Sequence, residues 1–99
     1  YAWHLLEPKT DASLVTTALG TGSGRIAPAL ASDGSFAMIW TPNVNVTVAM
    51  TALTPSSVRC RWWNPVDGSY STDGASPLAN TGTHAFTAPG TRILLLDAA

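Results

Sequence analysis

Arg61-Trp62-Trp63-Asn64-Pro65-Val66-Asp67-Gly68 reads as a strand that runs into a tight turn, with two adjacent tryptophans at the junction. Neighbouring residues on a strand point to opposite faces, so one indole is expected to fill a core while the other looks outward. Asn64-Pro65 stops the strand, because the residue before proline is restricted and proline has no N–H for a ladder. Asp67-Gly68 is a favoured turn pair. Upstream, Val58, Cys60 and Trp62 fall on one face, and Arg59, Arg61 and Trp63 on the other. That alternation assigns Trp62 to the core. A short strand around Ser69–Ser71 is expected to complete a hairpin with Val58–Trp63 across Asn64–Gly68.

The rest of the chain repeats this grammar. Short β-like runs are expected near Trp3–Leu6, Leu14–Ala18, Arg25–Ala31, Phe36–Thr41, Val44–Met50, His84–Thr87 and Ile93–Asp97, punctuated by Gly, Pro, Asn and Asp. Ser32-Asp33-Gly34-Ser35 and Pro42-Asn43 read as hairpin loops. Val44, Val46 and Val48 alternate with Asn45, Thr47 and Ala49, the period of a half-buried strand. Ile93-Leu94-Leu95-Leu96 is apolar on both faces and reads as a central strand. No segment reads as a helix: the Ala-rich run Ile26 to Ala31 contains Pro28, and Asp11 to Leu19 is rich in Thr and ends at Gly20. The expectation is an all-β fold, a single antiparallel β-sandwich of roughly seven to nine short strands spanning residues 1–99 as one domain.

Composition narrows the function. The 99 residues are 45% hydrophobic but only 11% charged, with a net charge of −1. Phosphate recognition needs clustered Lys and Arg, and the only basic pair is Arg59 and Arg61, so nucleic acid is an unexpected partner. No run approaches the roughly 20 apolar residues of a membrane helix, so no membrane partner is expected either. The lone Cys60 allows no internal disulfide. The absence of an initiator Met and of a leader run suggests a processed piece of something longer. A Thr-, Ser-, Ala- and Gly-rich composition with one Lys fits an extracellular, secreted protein. In a eukaryotic secretory pathway Asn45-Val46-Thr47 would be a glycosylation sequon.

Catalytic or metal chemistry finds little support. His4 and His84 lie near opposite ends of the chain with no Cys/His spacing around them. No serine sits in a Gly-x-Ser-x-Gly elbow. Asp33, Asp67 and Asp73 each precede a glycine, but no Asp-x-Asp-x-Asp-Gly run concentrates calcium ligands, and Asp-Gly is ordinary turn chemistry. Glu7, the only glutamate, adjoins Pro8 and makes a poor protected acid. Gly20-Thr21-Gly22-Ser23-Gly24 lacks the Lys-Ser/Thr of a phosphate loop. The chain therefore reads as a non-enzyme without cofactor or metal.

The tryptophans carry the binding hypothesis. Trp63, with Arg61 on the same face and Tyr70 across the hairpin, forms a platform suited to sugar rings or to aromatic and proline-rich partners. The competing reading is that Trp3, Trp40 and Trp62 are core, and that Trp63 packs against a neighbouring domain or chain.

Four stretches recur in a fixed order: Ala31-Ser32-Asp33-Gly34-Ser35-Phe36-Ala37-Met38-Ile39-Trp40-Thr41-Pro42; Val58-Arg59-Cys60-Arg61-Trp62-Trp63-Asn64-Pro65-Val66-Asp67-Gly68; Gly82-Thr83-His84-Ala85-Phe86-Thr87-Ala88-Pro89; and Ile93-Leu94-Leu95-Leu96-Asp97. Together they resemble the C-terminal β-sandwich attached to apiosidase-like bacterial glycoside hydrolases, a domain labelled "putative collagen-binding domain of a collagenase". The resemblance runs from about Trp3 to Asp97. It implies a non-catalytic accessory sandwich that follows a (β/α)8 barrel, with the catalytic carboxylates in that barrel and none here. It also implies a structural part for Trp62, Asn64, Pro65, Asp67 and Gly68. The expected partners are thus a catalytic domain of the same polypeptide and polysaccharide. Collagen rests on the label alone. A rival reading is a structural protein that builds a filament from copies of itself by edge pairing or strand exchange, with Tyr1–Leu6 as donor strand.

Overall fold

Alternating burial along Ser57–Trp63 organises the fold. Val58, Cys60 and Trp62 point inward and are buried, while Arg59, Arg61 and Trp63 point to the opposite face. The computed structural model describes residues 6–8, 14–16, 25–42, 45–74 and 76–98. Among these are nine strands: β1 (Leu6–Pro8), β2 (Ala27–Ala31), β3 (Ala37–Pro42), β4 (Val46–Ala49), β5 (Ser57–Trp63), β6 (Tyr70–Thr72), β7 (Leu78–Ala79), β8 (Thr83–Phe86) and β9 (Thr91–Ala98). Every pairing is antiparallel, and the only described helix is a single 3₁₀ turn at Met50–Ala52. The all-β expectation holds.

Seven strands form one sheet in the order β1-β2-β3-β9-β5-β6, with β7 also on β5, and β4 pairs β8 in a second, two-stranded sheet. β9 lies between β3 and β5, the central position that its apolar residues on both faces require. The turn at Ser32–Ser35 joins β2 to β3 as a hairpin. Pro42-Asn43 is different. β3 pairs β2 and β9, whereas β4 pairs β8, so the two strands flanking Pro42-Asn43 belong to different sheets and form no hairpin. The register Pro42↔Thr91 to Ala37↔Leu96 shows why: β9, from the far end of the chain, takes the edge of β3 that a local hairpin would need.

The small sheet caps the inner face of the large one. Val46, Val48 and Phe86 from β4 and β8 pack with Ile39, Val58, Cys60, Trp62, Leu94 and Leu96 of the large sheet in one buried cluster. Leu14 and Val15 join that cluster, and Val15 forms an isolated bridge with Val48, all that the described residues show of the strand expected at Leu14–Ala18. Of the strand expected at Trp3–Leu6, only Leu6 lies within the described residues, in β1. Trp3, His4 and Gly20–Gly24 lie outside them.

Trp62 joins the layers. Its ring meets Phe86 edge-on, with centroids 6.3 Å apart. Its indole N–H donates to the Asp73 carboxylate at 3.0 Å, so the one polar atom of a buried ring is satisfied. Asp73 is thus more than a turn residue. Its backbone N–H also donates to the Cys60 carbonyl, and the Cys60 N–H donates to the Ser76 hydroxyl at 2.9 Å. These two bonds bridge the gap between β6 and β7 along the outer edge of β5.

Candidate partner-binding face

The turn after β5 is built by its own side chains. Asn64 accepts the Val66 N–H on Oδ1 at 3.0 Å and the Gly68 N–H on its carbonyl at 2.8 Å. Asp67 accepts both the Ser69 amide at 2.9 Å and the Ser69 hydroxyl at 2.7 Å. The Ser69 hydroxyl, then the Ser69 amide, hold the Asp67 carboxyl below its ordinary 3.8. Gly68 supplies the positive φ of 73° that closes the loop. Pro65 is exposed, and Val66 stands 90% exposed at the tip. Asn64, Pro65, Asp67 and Gly68 therefore shape a hairpin whose product is the placement of Tyr70 directly across from Trp63.

Sheet register then assembles a face. Trp40 of β3, Ile93 of β9, Trp63 of β5 and Tyr70 of β6 are consecutive cross-strand partners, and so are Met38, Leu95 and Arg61 in the next row. All lie on the side of the large sheet opposite the small one. Leu95 is buried to 3% between its neighbours, Trp40, Met38, Ile93 and Trp63 are half-buried, and Tyr70 is 53% exposed. Trp40 was expected in the core; it is instead on this outer face, because Ala37, Ile39 and Thr41 are the inward residues of β3.

The three residues expected to form a platform do meet. The Arg61 guanidinium sits 4.6 Å from the centroid of the Tyr70 ring, within cation–π range, and Trp63 faces Tyr70 across the hairpin. Arg61 is held in turn by Asp97, at 3.5 Å from Nη2 to Oδ2. The same carboxylate receives Arg59 in a bidentate grip, Nε at 2.9 Å and Nη2 at 2.7 Å. Asp97 is 7% exposed and is the acid that orders the basic side of the face. In the sequence Arg59 and Arg61 read as a bare basic pair, and the signal for their carboxylate partner is an acid near the end of an otherwise apolar strand. Met38, Trp63, Tyr70 and Leu95 line an open groove of about 200 Å³.

Reactive chemistry is sparse around these residues. Cys60 is fully buried, and its thiol is pushed up to about 12 by burial first, then by the charges of Asp73 and Asp97. Such a thiol stays protonated and is no nucleophile. His84 packs edge-on against Phe86 with ring centroids 4.6 Å apart. Among the described residues no three His, Cys, Asp or Glu side chains gather as a metal site, and no helix is long and apolar enough to cross a membrane. The face offers flat apolar area, three aromatic side chains and an ordered guanidinium, which suits contact with a partner.

Comparison with known proteins agrees with the shape. A family described as "Putative collagen-binding domain of a collagenase" matches residues 10–97. A solved structure titled "Glycoside hydrolase" superposes with a TM-score of 0.81 at 14% identity, over 100% of this chain and 22% of its own. A glycoside hydrolase family 5 protein from Bacteroides vulgatus ATCC 8482 superposes with a TM-score of 0.80 at 11% identity, over 99% of this chain and 21% of its own. This chain thus spans about a fifth of the length of either protein. Curated proteins gave no match.

Proposed function

The chain belongs to the family described as "Putative collagen-binding domain of a collagenase", and we propose that it is a non-catalytic accessory module of an extracellular, polysaccharide-degrading glycoside hydrolase. It stands beside the catalytic domain and meets its partner through the outer face of the large sheet. The observation that carries this reading is the cross-strand row Trp40–Ile93–Trp63–Tyr70, an apolar and aromatic face on the side away from the core. Two solved glycoside hydrolases share the fold in about a fifth of their length, which supports attachment to a larger enzyme. On this reading Trp63, Arg61 and Tyr70 are the contact residues. Collagen, by contrast, is supported by the family's description alone.

The test is to express the whole gene product that carries this chain beside a version ending before residue 1. A hydrolase domain in the same polypeptide, melting several degrees lower once the module is removed, is the expected result. A gene product with no such domain refutes the reading, as does a hydrolase domain whose melting and polysaccharide turnover ignore the truncation.

A further inference from the structure

We infer that the groove between Trp63 and Tyr70 is a socket for one apolar side chain of the adjoining catalytic domain, and not a sugar subsite. The inference rests on the accessory reading above and names the occupant of its contact face. Size is the first argument. At about 200 Å³ the groove is smaller than the roughly 300–1,000 Å³ of a small-molecule pocket. It exceeds the about 150 Å³ of an apolar cavity that admits benzene. A leucine, methionine or phenylalanine side chain is of that scale.

Chemistry is the second argument. The groove is lined by Leu95, Met38 and the Trp63 and Tyr70 side chains. A pyranose carries hydroxyls round its edge, and Leu95 and Met38 offer them no hydrogen-bond partner, so the groove gives a sugar no polar recognition. An apolar side chain needs none. The Tyr70 ring is moreover engaged by the Arg61 guanidinium at 4.6 Å, leaving less of it for stacking on sugar.

Composition and setting are the third. Trp, Tyr, Met and Arg are the residues enriched at protein interfaces, with an apolar centre inside a polar rim. Here Met38, Leu95, Trp63 and Ile93 form the centre, and the Arg59–Asp97–Arg61 cluster lies along one side of it. About four-fifths of each superposed glycoside hydrolase lies outside the shared domain, so a large protein surface is available to supply the side chain.

The experiment uses this chain labelled at the methyls of Met38, Leu94, Leu95 and Leu96 and at the tryptophan indoles, followed by NMR. N-acetyl-leucinamide and N-acetyl-phenylalaninamide stand in for the socketed side chain, and xylohexaose for glycan. Saturable shifts at Met38, Leu95 and Trp63 are expected from the amino-acid amides, with none from xylohexaose at equal concentration. Trp63→Ala and Tyr70→Ala should each weaken amide binding about fivefold while the buried Leu94 and Leu96 methyls keep their positions. Xylohexaose binding as well as or better than the amides overturns the socket and leaves the accessory reading standing. Silence from every probe also overturns it. The accessory reading itself falls only with the gene-product test, so the two failures are told apart.

Discussion

Replacing Asp97 by alanine removes a carboxylate that orders two arginines, and its cost can be bracketed from the structure. The Asp97 side chain is 10% exposed, against 44% for Arg59 and 20% for Arg61. A fully exposed ion pair contributes about 0–1 kcal/mol, and stripping one partner from a fully buried pair costs about 3–5 kcal/mol. Arg59 regains water readily once released, which pulls the value below the buried limit. Arg61 is packed beside Leu95 and under Tyr70 and rehydrates poorly, which keeps it above the exposed limit. The bidentate bonds at 2.7 and 2.9 Å are short and charge-assisted. Asp97→Ala is therefore expected to lose about 2–3 kcal/mol, between those two limits. For a domain of this size that lowers Tm by roughly 10–20 °C. Urea unfolding followed by tryptophan fluorescence measures it, with Arg59→Ala and the double variant completing a cycle. A coupling near zero, or an Asp97→Ala variant within about 0.5 kcal/mol of the parent, would refute the idea that this carboxylate holds the face together.

Three further outcomes are expected. Gly34→Ala should destabilise the domain by about 2 kcal/mol or more in the same unfolding assay, because Gly34 has φ of 74° and an added Cβ would lie 2.9 Å from Thr54 Cγ2 and 3.1 Å from the Ala52 carbonyl. Cys60 should resist iodoacetamide in the native state at pH 8 and react once urea unfolds the chain, since its thiol is pushed up to about 12; native labelling at the unfolded rate contradicts the burial. Asp67 has a folded value below its ordinary 3.8, so its contribution to stability is present above that value and is lost as pH falls below it. Asp67→Asn should flatten this acid limb of stability against pH, and an unchanged limb rules Asp67 out as its source.

Local patterns made much of the fold legible. Val58, Cys60 and Trp62 alternate with Arg59, Arg61 and Trp63, and the structure divides them between the two faces of β5 as that alternation requires. Ile93 to Leu96, apolar throughout, became the central strand. Asn64 to Gly68 became the expected hairpin turn. What escaped was non-local. Nothing near Pro42 says that β9 will claim the free edge of β3, because pairing across half the chain leaves no trace in a short window. Trp40 was misplaced for a related reason: Ala37, Met38, Ile39 and Trp40 are all apolar, so the period of two that separates inside from outside is invisible. Asp97 could not be matched to Arg59 and Arg61 until the β5–β9 register put Asp97 opposite Arg59.

The asymmetry of the two layers bears on how the domain meets a partner. A strand with apolar residues on both faces is the pattern of a sheet covered on both sides. On β9, Leu94 and Leu96 face the core beneath the small sheet, whereas Ile93 and Leu95 join Trp40, Met38 and Trp63 on the outside. The composition of β9 thus anticipates a second cover that the small sheet, on the opposite side, does not supply. The β6 edge of the large sheet points the other way. β6 is three residues long, exposed throughout, and follows Tyr70 with Ser71 and Thr72. Short, polar edge strands are how sheets resist adding further strands. Edge-to-edge assembly through β6 would begin from that short polar strand, while docking through the face begins from Trp63 and Leu95. The side chains favour the face.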